Sequence, residues 1–270
     1  MAIKRNSILL LSISVSALVL TSCASSKRKA DLAYVEKPVE QLYNDASISL
    51  QRRQWDRAAL EFQEVQRQHP YSEWAQRAML MTAYSQYRSK SYEEVVASAQ
   101  QYTALYPSAD GAAYAYYLIG LTHFDQITDV GRDQGRTELA LAALEDVVRR
   151  FPASEYARDA ELKIDMVRDQ LAGKEMEIGR YYLKNSEFLA AINRFKSVVD
   201  NYETTTHTPE ALHRLVEAYL SIGLVGQANA VASVLGYNYP ETDWYRDSYK
   251  LMQKHTIPAA QAVKASVDEE

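Results

Sequence analysis

From residue 39 to residue 240, apolar side chains recur at spacings of three and four, which lines them along one face of an α-helix and does not alternate them across a strand. The pattern is itself repeated. Trp55, Ala58, Phe62 and Val65 precede Pro70, Tyr92, Val95, Ala99 and Tyr102 precede Pro107, and Ala140, Leu144 and Val147 precede Pro152. Phe188, Ala191, Phe195 and Val198 lead to Glu203, where the other copies have proline, and Val225, Ala228, Ala232 and Leu235 lead to Pro240. Each block follows another amphipathic segment, at 39–50, 76–87, 113–124, 174–183 and 209–220. Proline removes a helix donor and drives the preceding residue out of helical backbone, so each pair is predicted to stop there. A serine just beyond is placed to cap the next helix in Pro70-Tyr71-Ser72, Pro107-Ser108 and Pro152-Ala153-Ser154.

A helix-turn-helix unit of about 34 residues, with small residues where the helices cross and proline at its end, resembles the tetratricopeptide repeat. Five copies in register predict an all-α, right-handed α-solenoid of five such helix pairs. Two departures are expected. The third copy carries extra polar residues within 125–136, and the segment 154–171 reads as an additional helix between the third and fourth pairs. In the insert, Asp129, Gly131, Asp133 and Gly135 have the look of a calcium loop. Gln134 stands where that loop requires glycine and Ala140 where the bidentate glutamate belongs, so a plain polar loop is predicted.

The chain opens with Lys4 and Arg5, an apolar run from Ile8 to Leu20 too short to span a bilayer, and then Leu20-Thr21-Ser22-Cys23. That is the arrangement of a secretory signal, and the four residues resemble the lipobox of bacterial lipoproteins. Cys23 is the single cysteine of the sequence, which argues for modification and against a disulfide. The expected organisation is a signal peptide over 1–22, a lipidated tether over 23–38, the solenoid over 39–256 and a disordered tail over 257–270. Acyl chains on Cys23 would anchor the domain, each buried methylene contributing about 0.8 kcal/mol. Ala24 and Ser25, in place of aspartate after the cysteine, point to the outer membrane with the domain facing the periplasm.

Composition removes other classes. A net charge of -5 offers no basic stripe, so nucleic acid is not an expected partner. The histidines at 69, 123, 207, 213 and 255 include no pair at the i, i+4 spacing of a zinc helix, and they read as scattered surface residues. The glycines of the insert lack the Lys and Ser or Thr of a phosphate loop, and acidic pairs such as Glu93-Glu94 are adjacent and solvated. No catalytic residue, metal or cofactor is expected beyond the lipid on Cys23. Twenty tyrosines against five phenylalanines is the skewed count, and tyrosine builds half-wet contact surfaces.

In stacked helix pairs the first helices line the inner surface. The second, fifth, ninth and twelfth places of each first helix then supply Glu40, Tyr43, Ser47 and Leu50, Arg77, Leu80, Tyr84 and Tyr87, and Tyr114, Tyr117, Leu121 and Phe124. Gly173, Met176, Arg180 and Leu183 follow, and then Glu210, His213, Glu217 and Leu220. A groove carrying Tyr43, Tyr84, Tyr87, Tyr114, Tyr117 and Phe124 suits an extended, aromatic-bearing peptide, with Arg77 placed for a free carboxylate. Several of these rings could instead only pack the next repeat.

Lipobox, five repeats, Tyr116 to Phe124 (YYLIGLTHF), Phe151 to Leu171 (FPASEYARDAELKIDMVRDQL) and Glu177 to Leu183 (EIGRYYL) together resemble the BamD lipoproteins of the outer-membrane β-barrel assembly (BAM) machinery. The resemblance implies a protein that recognises carboxy-terminal signals of unfolded outer-membrane barrel proteins and promotes their folding and insertion. It also implies docking to the periplasmic domains of BamA, alongside other BAM lipoproteins, through the carboxy-terminal half. Tyr181, Tyr182, Arg194 and Lys196 are the residues assigned to that docking. His69 departs from the family, whose members place an aromatic before this proline. The rival reading is a lipid-anchored tetratricopeptide scaffold in cell-wall synthesis or division.

Overall fold

The computed structural model describes residues 37–129 and 134–267, so Cys23, the signal segment and most of the tether lie outside the described residues, as do 130–133 of the insert. Among the described residues there are eleven helices: α1 (Val39–Gln51), α2 (Trp55–Gln68), α3 (Glu73–Arg88), α4 (Tyr92–Leu105), α5 (Ala112–Phe124), α6 (Gly135–Arg150), α7 (Glu155–Lys184), α8 (Phe188–Asn201), α9 (Thr208–Ser221), α10 (Val225–Asn238) and α11 (Asp243–Val267). Each packs against its neighbour in the chain. The odd-numbered helices also meet one another, α1 on α3, α3 on α5, α5 on α7 and α9 on α11, whereas the even-numbered ones make no comparable contact. Tight packing on the odd side and splaying on the even side is the α-solenoid the repeat predicts.

All five helix pairs fall where the periodicity places them. The extra helix is present too, but it does not end before the fourth pair: α7 is one continuous helix of 30 residues. Its first half packs on α5 and α6 and its second half on α8. Lys174 follows Gly173 without a break because Ala172 and Gly173 are both buried in mid-helix. The backbone beyond Ile257 continues as helix to Val267, where a tail is expected, along a stretch rich in alanine.

Small residues set how closely the pairs approach. Ala46, Ala83, Gly120 and Gly179 occupy one place in successive first helices, and all four are buried. A Cβ at Gly120 would lie 2.8 Å from the Leu144 side chain, and one at Gly179 would lie 2.5 Å from the Phe195 ring. Between the helices of a pair the chain reverses through one left-handed residue, Arg53 (φ 58), Lys90 (φ 63), Ser186 (φ 63) or Gly223 (φ 77). The next amide then reaches back across the turn, as Gln54 N to Ser49 O at 3.0 Å and Ser91 N to Gln86 O at 2.9 Å. At the far end of each second helix, His69, Tyr106, Phe151, Tyr202 and Tyr239 share φ between −134° and −130°. His69 therefore keeps the helix-ending backbone of the aromatic positions. Ser72 and Ser154 cap as expected, accepting from Ala75 N and Ala157 N at 3.1 Å each. Ser108 does not: α5 starts later, behind Gly111, with no side-chain cap.

Candidate functional site

The first helices of the first three pairs bring most of the expected aromatic face together. Tyr43 on α1 packs on Trp74 of α3 with ring centroids 4.9 Å apart and planes inclined by 55°, and meets Phe62 edge-on at 5.3 Å. One turn further along α3, the exposed Arg77 guanidinium lies over Trp74, 5.7 Å from its centroid. Burial raises the Tyr43 pKa, and the Arg77 charge pulls it part of the way back. Arg77 has no carboxylate partner among the described residues, so its charge is available to a ligand.

A second group continues along α3, α5 and α7. Tyr84 faces Tyr114 at 6.5 Å, Tyr114 faces Tyr156 at 5.2 Å, and Tyr156 faces Tyr117 at 5.5 Å. Lys163 lies over Tyr117 and Phe124, 5.9 and 5.6 Å from their centroids. Three of the hydroxyls have partners within the protein. Arg88 Nη1 donates to Tyr84 Oη at 2.7 Å, Tyr87 donates to Asp125 Oδ2 at 2.5 Å, and Tyr117 donates to Asp159. Asp159 is held below the usual carboxylate range by Lys163 Nζ at 2.7 Å and by that phenol. Burial first, and then the neighbouring carboxylates, push Tyr87 and Tyr117 well above the ordinary phenol value; burial alone leads for Tyr114. These rings stay neutral and fixed at physiological pH, so what they offer a ligand is their faces and edges.

Six expected groove residues thus join into two clusters, Tyr43 with Arg77 and Tyr84 with Tyr114, Tyr117 and Phe124, while Tyr87 on α3 is tied to Asp125 at the end of α5. Reading the first helices alone missed Trp74, Tyr156 and Trp244, which the structure places at one equivalent position. Each lies two residues beyond a capping hydroxyl in Ser72-Glu73-Trp74, Ser154-Glu155-Tyr156 and Thr242-Asp243-Trp244. Each receives the fifth-place residue of the preceding first helix: Tyr43, Tyr117 and, at 5.3 Å, His213. Since α11 was not foreseen, neither was this third contact.

The carboxy-terminal half has a different face. Gly173 and Met176 are buried and not exposed on a groove, and the continuous α7 packs Met176 into the core it shares with α8 and α9. His213 is buried rather than on the surface, 2.8 Å from Ser248 Oγ through Nδ1 and 3.4 Å from Glu217 Oε1 through Nε2, and His123 is buried as well. Arg180 pairs with Glu210 at 3.1 Å, and Arg214 bridges Glu210 and Glu217 at 3.3 and 2.7 Å. Burial raises the Glu217 pKa, but the hydrogen bonds from His213 and Arg214 outweigh it and leave the net shift downward. Of the residues assigned to docking, Tyr181 is exposed and meets Tyr182 at 5.8 Å, and Tyr182 packs on the α7–α8 core. Arg194 is turned back onto Glu175 at 3.2 Å, and Lys196 is exposed on α8. The four therefore do not form one patch through contacts of their own.

No group of three or more His, Cys, Asp or Glu able to hold a metal ion occurs among the described residues, and no described helix is long and apolar enough to cross a membrane. Known proteins supply the wider setting. Residues 35–235 match the family model described as an outer membrane lipoprotein, YfiO. An outer membrane protein assembly factor BamD of Caulobacter vibrioides is 53% identical over 247 residues, covering 91% of this chain and 81% of the relative. Its counterpart in Rickettsia prowazekii is 46% identical, covering 92% of this chain and 97% of the relative. The chain belongs to this outer-membrane lipoprotein family, whose members include the BamD outer membrane protein assembly factors.

Proposed function

We propose that the protein is a non-enzymatic assembly factor for outer-membrane β-barrel proteins, tethered by lipid at Cys23 with its helical domain in the periplasm. It requires no cofactor. Its work is to hold unfolded barrel proteins on the face built by α1, α3, α5 and the first half of α7. One observation carries this reading: the rings of Tyr84, Tyr114, Tyr156 and Tyr117 form an unbroken row, with the exposed Arg77 guanidinium two turns before Tyr84 on α3. An extended carboxy-terminal segment with alternate aromatic side chains would lay them on that row and give its terminal carboxylate to Arg77. The carboxy-terminal half, through the exposed Tyr181 and Lys196, would dock to the periplasmic part of BamA and, with the other lipoproteins, complete the machine.

Replacing the gene in a strain where its product can be depleted tests the function. A copy carrying Tyr84→Ala and Tyr117→Ala should lower the outer-membrane content of barrel proteins while the protein itself remains abundant. If barrel proteins are unaffected and cell-wall or division defects appear instead, the scaffold reading replaces this one.

A further inference from the structure

We propose that the end of the solenoid keeps a place for one amphipathic helix of a partner protein, laid in the groove between α10 and α11. This surface is separate from the tyrosine row, and the inference does not depend on the peptide reading. Register identifies the occupant. Because Ser72, Ser154 and Thr242 open α3, α7 and α11 alike, residues can be equated by their distance from that hydroxyl. Met79 and Ala83 of α3 then correspond to Tyr249 and Gln253 of α11. On α3 that pair is covered by Val95, Ala99 and Tyr102 of the following helix, and Met79 is 7% exposed. On α11 no described helix follows, and Tyr249 is 55% exposed.

The first half of α7 provides the contrast. Its equivalent residues are Glu161 and Asp165, both exposed. Where the fold leaves this face to water the chain carries carboxylates, and α11 carries tyrosine at the same place. The α10 side agrees. Alone among the second helices, α10 contains no Asp, Glu, Lys, Arg or His, yet Val234 and Tyr237 stand exposed on it. A solvated helix is expected to be charged on its outer face, and an uncharged one with exposed apolar residues marks an interface. Between the two helices lies a cavity of about 620 Å³ lined by Ala232, Gly236, Tyr245, Tyr249 and Met252. The occupant takes the place of a second helix: apolar residues spaced as Val95, Ala99 and Tyr102 are, facing the groove, with polar residues outward.

Photocrosslinking tests this with the full-length protein. With p-benzoylphenylalanine at position 249, irradiation of the membrane fraction and sequencing of the linked peptide should return a segment of another protein with that apolar spacing. A synthetic copy of the segment should gain helicity on binding the purified protein. Its affinity should fall about tenfold or more against Tyr249→Arg and against Ser233→Glu, both at exposed positions that line the cavity. A crosslink confined to a second copy, to residues 1–36 of the same chain or to lipid overturns the proposal. So does no crosslink, or a linked segment that binds without becoming helical.

Discussion

Gly179→Ala isolates the close helix crossing on which the fourth pair depends. A Cβ there would lie 2.5, 2.8 and 2.9 Å from three atoms of the Phe195 ring. Carbon atoms rest comfortably at about 3.5–4.0 Å, so the overlap is near 1 Å on each contact. The ring cannot step aside, because Phe195 is fully buried among Met176, Ile192, Leu215 and Ala218. Overpacking of this kind costs about 1–3 kcal/mol, and the better helix propensity of alanine returns about 1 kcal/mol. With three ring atoms overlapped at once the cost falls in the upper part of that range, about 2–3 kcal/mol, which leaves a net loss of about 1–2 kcal/mol. Gly226→Ala supplies the control, since a Cβ at Gly226 on α10 meets nothing within 4 Å and the change should be neutral or stabilising by up to about 1 kcal/mol. Urea unfolding followed by circular dichroism measures both, and hydrogen exchange should localise the Gly179 loss to α7 and α8. Combining Gly179→Ala with Phe195→Leu should recover about 1 kcal/mol relative to the sum of the single changes. A Gly179→Ala protein as stable as its parent would refute the crossing as described.

Arg53→Gly and Lys90→Gly relieve left-handed backbone at φ 58 and 63, so each should stabilise the protein by about 0.5–1 kcal/mol, visible as a higher unfolding midpoint. Ser154→Ala removes the hydroxyl that accepts from Ala157 N and should cost about 1 kcal/mol, with faster exchange confined to the start of α7. For Asp159 the folded pKa is depressed by Lys163 and Tyr117, so its stabilisation is present above the unfolded carboxylate value and is lost as pH falls through the folded one. Tyr117→Phe should therefore shrink the stability difference between neutral pH and pH about 3, measured by urea midpoints across that range. A midpoint difference unchanged by the substitution would remove Tyr117 from that pairing.

Helix positions were legible because burial follows the three-four spacing and because proline closes every pair but the fourth. The short left-handed turns were harder to read, since only Gly223 uses the residue type that announces them. Periodicity likewise cannot tell two abutting helices from one long one. With Ala172 and Gly173 buried inside α7, neither acts as a breaker, and the extra helix runs into its neighbour. A signal for α11 stood in the sequence, since Pro240-Glu241-Thr242 repeats the proline-and-cap pattern of Pro70-Tyr71-Ser72, but it lies beyond the last complete pair. The tyrosine row was half visible. Rings on α3 and α5 follow from the inner register, whereas Tyr156, which joins Tyr114 to Tyr117, comes from the first half of α7, which belongs to no pair. Ion pairs are the least legible of all: Arg194 reads as an exposed base, and only its packing on α7 brings Glu175 within 3.2 Å.

Binding of a labelled peptide copying the carboxy-terminal segment of an outer-membrane barrel protein, followed by fluorescence anisotropy, tests the central claim most directly. The parent protein should bind, and Arg77→Ala and Tyr84→Ala should each weaken binding by about 1 kcal/mol or more. Binding that both variants retain in full, or no binding by the parent, would contradict the assignment of the α1–α3–α5 face as the reader of unfolded barrel proteins.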